Sequence, residues 1–468
     1  MTSRRGHLPF ARVAGIARGW SLEVGLGVGA VACARLGDGL LGPGGDVLVL
    51  VLVLLALAWR PGPRGRLAAL LAERSTRRWI AKALRQGSVE GVLGAPPRVV
   101  ASRRVAVGHH LRVQLPPGFH AGHLERDHGS LASRLRVREV RVLRDPHDAS
   151  LAELVVVTRD VLADRAPLAW PWAGARQVSL WDPVPLGVSE DGTPVTLPLV
   201  EHNLLLGGEP GAGKSVALSL LVAAAALDAN VSLRLLDGKQ VELAPFATCA
   251  EHFVGPDIEA AVEALEEIRS DMDARYDALL AAGRRKVARS DGLSLRVVAV
   301  DELAYFLRHP DRSPRVAFEA ALRDLVARGR AAGVVVLAAT QKPSHDLVPT
   351  SIRDLFSYRL ALRCTTNEAS DTILGQGWAT KGFSAATIDA RQRGVGFLLS
   401  EGALPVRCKA AYLDDAAIAA IARRGAAARA GAAEGSGAGA DAGAGAGAGE
   451  EGKEDGEGPA GGDSGGRP

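Results

Sequence analysis

Between Leu186 and Leu413 six apolar runs recur: HNLLLGG, VSLRLLDG, LRVVAVDE, GVVVLAATQ, YRLALRC and GVGFLLS, with helical spans between them. Short runs that are apolar on both faces mark buried strands, and their alternation with helices predicts a parallel sheet covered on both sides. The expected fold class over 186–424 is therefore α/β. Before it, HHLRVQLPP, LRVREVRVLRD and AELVVVTRD show strand patterns around a helical piece at Leu124 to Leu135, so residues 96–185 read as a small α+β domain. Residues 67–95 read as a helical linker, since Leu67 to Gln86 mixes Arg and Ala until GAPPRVV ends the pattern.

The first sixty-six residues follow a different pattern. Arg4, Arg5, Arg12 and Arg18 precede an interrupted apolar stretch, Leu22 to Leu36, and a second run, Val47 to Trp59, leads into Arg60, Arg64 and Arg66. Basic flanks outside and GDGLLGPGGD between fit a two-helix membrane hairpin with both ends in the cytoplasm. Against this stand Glu23 and Arg35 inside the first run and the thirteen-residue length of the second, where a spanning helix needs about 20 residues. A buried helix with a Gly-rich lead-in has the same periodicity. The hairpin over 1–66 is the expectation carried forward. With it goes a location at the cell membrane, the α/β domain facing the cytoplasm. Residues 425–468 are Gly, Ala and acidic residues with almost no large apolar side chain, which predicts a disordered tail.

Charge refines this outline. The formal net charge is +4, but residues 431–468 hold eight acidic and two basic residues, leaving +10 on 1–430 and admitting a polyanionic partner. Cys33, Cys249, Cys364 and Cys408 form no CxxC pair, and His109, His110, His120, His123, His128 and His147 match no standard ligand spacing, so no structural metal site is expected.

The chemistry concentrates where strands end. Gly208, Glu209, Pro210, Gly211, Ala212, Gly213, Lys214 and Ser215 fit G-x-x-x-x-G-K-[ST], between an apolar strand and a helix. Glycines let backbone N–H groups turn toward phosphate oxygens, and the helix N-terminus adds positive potential. Lys214 is expected on the β and γ phosphates of ATP and Ser215 on Mg²⁺. A second apolar strand ends in Asp301 and Glu302, placed to hold Mg²⁺ and to polarise water. A third ends in Thr340 and Gln341, where Gln341 can sense the γ-phosphate. Catalysis is thus expected from Lys214, Asp301, Glu302 and Gln341. Replacing Lys214 by Ala is expected to abolish hydrolysis and leave folding intact.

Together GEPGAGKSV, LLDGKQVELAPF, MDARYDALLAAG, VVAVDELAYFL, RGRAAGVVVLAATQKPS and SDTILGQG resemble the FtsK/SpoIIIE family of the HerA/FtsK branch of P-loop ATPases, over about 220 residues. The resemblance implies a P-loop (RecA-like) motor, a homo-hexamer and double-stranded DNA as substrate. It puts Arg353, in the loop after the ATQ strand, on DNA, with Arg284, Arg285 and Lys286 as a second set, and Arg359 across a subunit interface. TTNEASDTILGQGWATKGFSAATI is most similar to the actinobacterial branch that transfers plasmids or integrative elements. A chromosome partition or septum motor and a type VII-like protein secretion ATPase are the alternatives. Asp371 stands where the family commonly has arginine, and the tail offers no winged helix for reading DNA sequence.

Overall fold

The computed structural model describes residues 78–82, 96–163, 166–341 and 348–441, the last ten by backbone alone. The expected membrane hairpin lies outside them. Among the described residues no helix is long and apolar enough to cross a membrane.

The small domain is an antiparallel sheet ordered β1-β2-β4-β3, built from β1 (Arg98–Val105), β2 (Gly108–Gln114), β3 (Glu139–Arg144) and β4 (Leu151–Val157), with α1 (Ala121–Leu135) between β2 and β3. Alternate residues of β4, Ala152, Leu154 and Val156, are fully buried against Leu124, Leu131 and Leu135 of α1. Ile80, from the short helical turn at 78–82, closes the same core.

The larger domain is built on one ten-stranded sheet. In chain order its elements are β5 (Val184–Ser189), β6 (Pro194–Leu197), β7 (Leu204–Gly207), α2 (Lys214–Leu227), β8 (Val231–Leu236), β9 (His252–Val254), α3 (Ile258–Ala281), β10 (Leu295–Val300), α4 (Leu303–Leu307) and α5 (Arg312–Arg328). There follow β11 (Val334–Thr340), α6 (Thr350–Arg353), β12 (Tyr358–Leu362), α7 (Asn367–Leu374), β13 (Val395–Ser400), β14 (Val406–Ala410) and α8 (Asp415–Asp441). The strand order is β6-β5-β14-β13-β12-β7-β11-β10-β8-β9. From β12 to β9 every pairing is parallel. β13, expected to be parallel, instead pairs antiparallel with β12, and β14, β5 and β6 continue antiparallel to the edge. The connection from β12 carries only α7 and short turns and returns from the same end of the sheet, so no crossover helix reverses the chain.

Period-two alternation sends Leu204, Leu206, Val297, Ala299, Val335 and Leu337 to one face and Leu205, Val298, Val300, Val334, Val336 and Ala338 to the other. The first face is covered by α2, whose residues are buried from Ala217 through Leu227, the mark of an apolar helix enclosed on all sides. The second is covered by α3 and α5 through Leu265, Ile268, Phe318 and Leu322.

Two boundaries differ from expectation. Trp170 and Leu180 belong to the core of the larger domain, and β5 already joins its sheet at Val184, so the small domain ends near Asp160 rather than at 185. The tail does not begin at 425, because α8 runs on to Asp441 and packs along α2. Arg424 donates to the carbonyls of Ala173 and Ala175, and Arg429 to those of Ala225, Ala226 and Asp228. Gly425 permits this approach: a Cβ there would lie 2.3 Å from the Ala226 carbonyl oxygen. A Gly/Ala composition that looks too poor for a core is what lets a helix lie this close to another.

The two domains are joined by buried charge. Asp160 accepts from Arg407 Nη1 and Nη2 at 2.7 and 2.8 Å and from Gln392 at 2.7 Å, and also pairs with Arg138. Arg141 of β3 pairs with Glu139 and Glu190 and lies over the rings of Phe383 and Phe397.

Candidate nucleotide site

The site sits where β7, β10 and β11 end side by side. β7 stops at Gly207, and the loop 208–213 turns into α2, whose N-cap Gly213 has φ of 100°. That left-handed conformation strains any other residue, and a Cβ on Gly213 would stand 2.7 Å from the Gly394 nitrogen. The Gly394 N–H donates to the Ala212 carbonyl at 2.8 Å, so the segment before β13 braces the loop from outside.

Lys214, the first residue of α2, is 4% exposed, and its Nζ lies 2.6 Å from Asp301 Oδ1 and 3.2 Å from the Asp301 carbonyl oxygen. Asp301, fully buried just past the end of β10, leaves Oδ2 without a hydrogen-bond partner. A buried carboxylate oxygen with no partner is costly unless something else meets it. Next to it, Glu302 accepts from the Thr340 hydroxyl at 3.0 Å and from the Gln341 backbone N–H at 3.2 Å. Gln341 and Ser215 are half-buried at the same end. The sequence-assigned set Lys214, Ser215, Asp301, Glu302 and Gln341 is therefore brought together by three strand ends.

These residues fit a nucleotide with its cation. The loop's N–H groups, the start of α2 and the Lys214 ammonium suit phosphate oxygens. The Ser215 hydroxyl and the unpartnered Asp301 Oδ2 are hard oxygen donors of the kind Mg²⁺ takes.

Two further residues belong to this end, and sequence reading missed their role. Arg363, one position past β12, donates through Nη1 to Glu209 Oε2 at 2.7 Å and through Nη2 to the Pro210 carbonyl at 3.3 Å. Gln392, beside Gly394, is bonded to Asp160. The signal available for Arg363 was a charged residue closing an apolar strand.

The basic residues assigned to DNA and to the subunit interface lie at the opposite end of the sheet. Arg284, Arg285 and Lys286 are exposed in the loop between α3 and β10, Arg284 bonded to Asp291 at 2.7 Å and Lys286 to Glu201 at 2.6 Å. Arg353, expected on a DNA-facing surface, is 3% exposed, with Nε on Asp354 at 3.2 Å and Nη1 buried without a partner. It is turned into the fold because α6 is a single turn pressed against the second core through Ile352. Arg359 is half-buried and 3.5 Å from the same Asp354, and burial lowers its pKa. Asp371, in place of the family's arginine, accepts from the Gly377 and Ala379 N–H groups and so organises the turn after α7. The three described cysteines are free and buried; burial pushes Cys364 and Cys408 up to about 12, which leaves them inert as thiolates. Among the described residues no group of His, Cys, Asp and Glu could hold a metal ion by itself.

Residues 177–376 match the FtsK/SpoIIIE family. The DNA translocase FtsK of Staphylococcus aureus strain Mu50 is 31% identical over 220 residues, 42% of this chain and 27% of that protein. The DNA translocase SftA of Bacillus subtilis strain 168 is 30% identical over 214 residues, 42% of this chain and 22% of that protein. The chain thus spans about a quarter of the length of the curated relatives it matches. Among solved structures, the pCW3 conjugation coupling protein TcpA, a monomer form with ATPgS, is similar at 17% identity and TM-score 0.49, over 73% of this chain and 96% of that one. The cytoplasmic domain of the type VII secretion ATPase EccC of Thermomonospora curvata gives 20% identity and TM-score 0.45, over 56% and 34%. With the family match covering the phosphate loop, the Asp301–Glu302 pair and Gln341, this chain carries an FtsK/SpoIIIE family domain.

Proposed function

We propose that this chain is an ATPase that couples hydrolysis to movement of double-stranded DNA. The observation that carries the ATPase reading is the buried Lys214–Asp301 pair with Asp301 Oδ2 left over, one residue from Glu302. The DNA reading is supported by the relatives named as DNA translocases.

In this reading Lys214 moves from Asp301 to the β and γ phosphates, releasing Asp301 to the cation side. Ser215 and Asp301 would hold Mg²⁺ there, which when bound would neutralise phosphate charge. Glu302 orients the attacking water once it leaves Thr340 and Gln341, and Gln341 senses the state of the γ-phosphate. The chain works as a homo-hexameric ring anchored at the cell membrane by residues 1–66, its motor cytoplasmic, in conjugative transfer of a plasmid or integrative element. The basic flanks of the apolar runs support the anchor, and the resemblance of residues 365–388 to the transfer branch supports the last step.

The test is the ATPase rate of the full chain with and without long duplex DNA at two salt concentrations. Strong stimulation that fades with salt is expected, because phosphate contacts release counterions. Hydrolysis indifferent to DNA would overturn the DNA reading and favour a protein substrate.

A further inference from the structure

Glu209 places a carboxylate inside the loop that is to receive a triphosphate. Left alone it would repel the ligand, and the fold answers it with Arg363. Besides its bonds to Glu209 Oε2 and the Pro210 carbonyl, Arg363 accepts at its own carbonyl from the Glu209 N–H at 2.9 Å. Both side chains are about four-fifths covered, at 21% and 20% exposure. The contact is rigid at its root. A Cβ on Gly208 would lie 2.8 Å from Leu362 Cβ, so the loop starts directly on the end of β12. The Arg363 backbone is anchored by that strand, which pairs with β7 in register from Tyr358 to Ala361.

We propose that Arg363 is a positioning residue for the nucleotide: it cancels the Glu209 charge and fixes the first two variable positions of the phosphate loop, and so sets ATP affinity rather than the rate of the chemical step. The assignment rests on the nucleotide reading above. Its distinguishing feature is electrostatic. Arg363→Ala leaves an uncompensated carboxylate within the phosphate loop, whereas Arg363→Ala with Glu209→Gln removes both charges.

The experiment measures the dissociation constant of a fluorescent ATP analogue with Mg²⁺, and kcat and KM for ATP, on the full chain. Arg363→Ala is expected to weaken binding about tenfold, the size of one like-charge contact at a partly solvated site, with kcat within about twofold. The double variant is expected to recover most of that loss, and Arg363→Lys part of it. Glu209→Gln alone, which keeps Arg363 and needs no folding rescue, is expected to bind the analogue about two- to threefold tighter. A fall in kcat at unchanged affinity in Arg363→Ala, no recovery in the double variant, or weaker binding by Glu209→Gln would each overturn the proposal. A wild-type chain that binds the analogue but does not hydrolyse ATP would overturn the ATPase reading alone, since the binding ratios still decide the role of Arg363.

Discussion

The two ends of the ten-stranded sheet use charge in opposite ways. At the end where β7, β10 and β11 finish, charged side chains are buried and incompletely matched: Lys214 at 4% exposure serves Asp301, and Asp301 keeps an oxygen without a partner. Where those strands begin, Arg284, Lys286, Arg289 and Arg330 lie at the surface, each beside a carboxylate on Asp291, Glu201, Asp182 or Glu401. Buried, unmatched charge is unfavourable and persists where a ligand completes it, while exposed ion pairs are worth about 0 to 1 kcal/mol and exchange readily. One end keeps a buried charge incompletely matched; the other holds its cations in exposed ion pairs.

The largest effect expected is on the first end. Lys214→Ala should lower hydrolysis by roughly 10²- to 10³-fold or more, as loss of a preorganised cation does. It should also cost stability, contrary to the expectation from sequence, because Asp301 is then buried with no cation. Removing one partner of a buried pair costs about 3–5 kcal/mol. Thermal melting of the variant checks this, and an unchanged midpoint would break the contrast. Glu302→Gln should lower kcat by about 10²- to 10⁴-fold, the range of a positioned general base, while retaining affinity for ATP.

Stability at the domain junction comes next. Asp160→Ala strands Arg407, which is 1% exposed, and should cost about 3–5 kcal/mol in denaturant unfolding. Burial alone would raise the pKa of Asp160, but hydrogen bonds from Arg407 and Gln392 and the charges of Arg407 and Arg138 hold it well below the usual carboxylate range. Its folded value being depressed, the stability it contributes is present above its unfolded value of about 3.9 and is lost as pH falls below that. The wild-type chain should therefore lose stability more steeply than Asp160→Ala below about pH 4.

The smallest effects belong to the second end. Replacing Arg284, Arg285 and Lys286 by Ala should leave basal hydrolysis unchanged. If the loop meets DNA, the slope of log binding constant against log salt should shrink by about 2 to 3, near 0.9 for each phosphate no longer neutralised. Arg353→Ala should change that slope less than the triple variant, since Arg353 is buried.

The same contrast decides what the sequence made legible. That the phosphate loop, Asp301–Glu302 and Gln341 stand together at one end of the sheet is legible because each follows a buried strand within one or two residues, so strand position fixes where they lie. The parallel core follows from the same runs. Side chains whose place depends on loops and tertiary partners are not legible: Arg353 turned inward with α6, and Arg363 acquired its role through a loop some 150 residues away in sequence. α8 escaped notice because Gly425 and its alanines look like a solvated tail, when small residues there permit close helix packing. The antiparallel turn to β13 depends on the 363–394 connection lacking a long helix, which apolar periodicity does not encode.

The central claim is that ATP turnover at Lys214, Asp301 and Glu302 moves the chain along duplex DNA, and displacement of a triplex-forming oligonucleotide from a duplex tests it most directly. The account predicts ATP-dependent displacement by the wild-type chain and none by Glu302→Gln, though that variant still binds ATP. DNA-stimulated hydrolysis with no displacement, or displacement undiminished in Glu302→Gln, would contradict it.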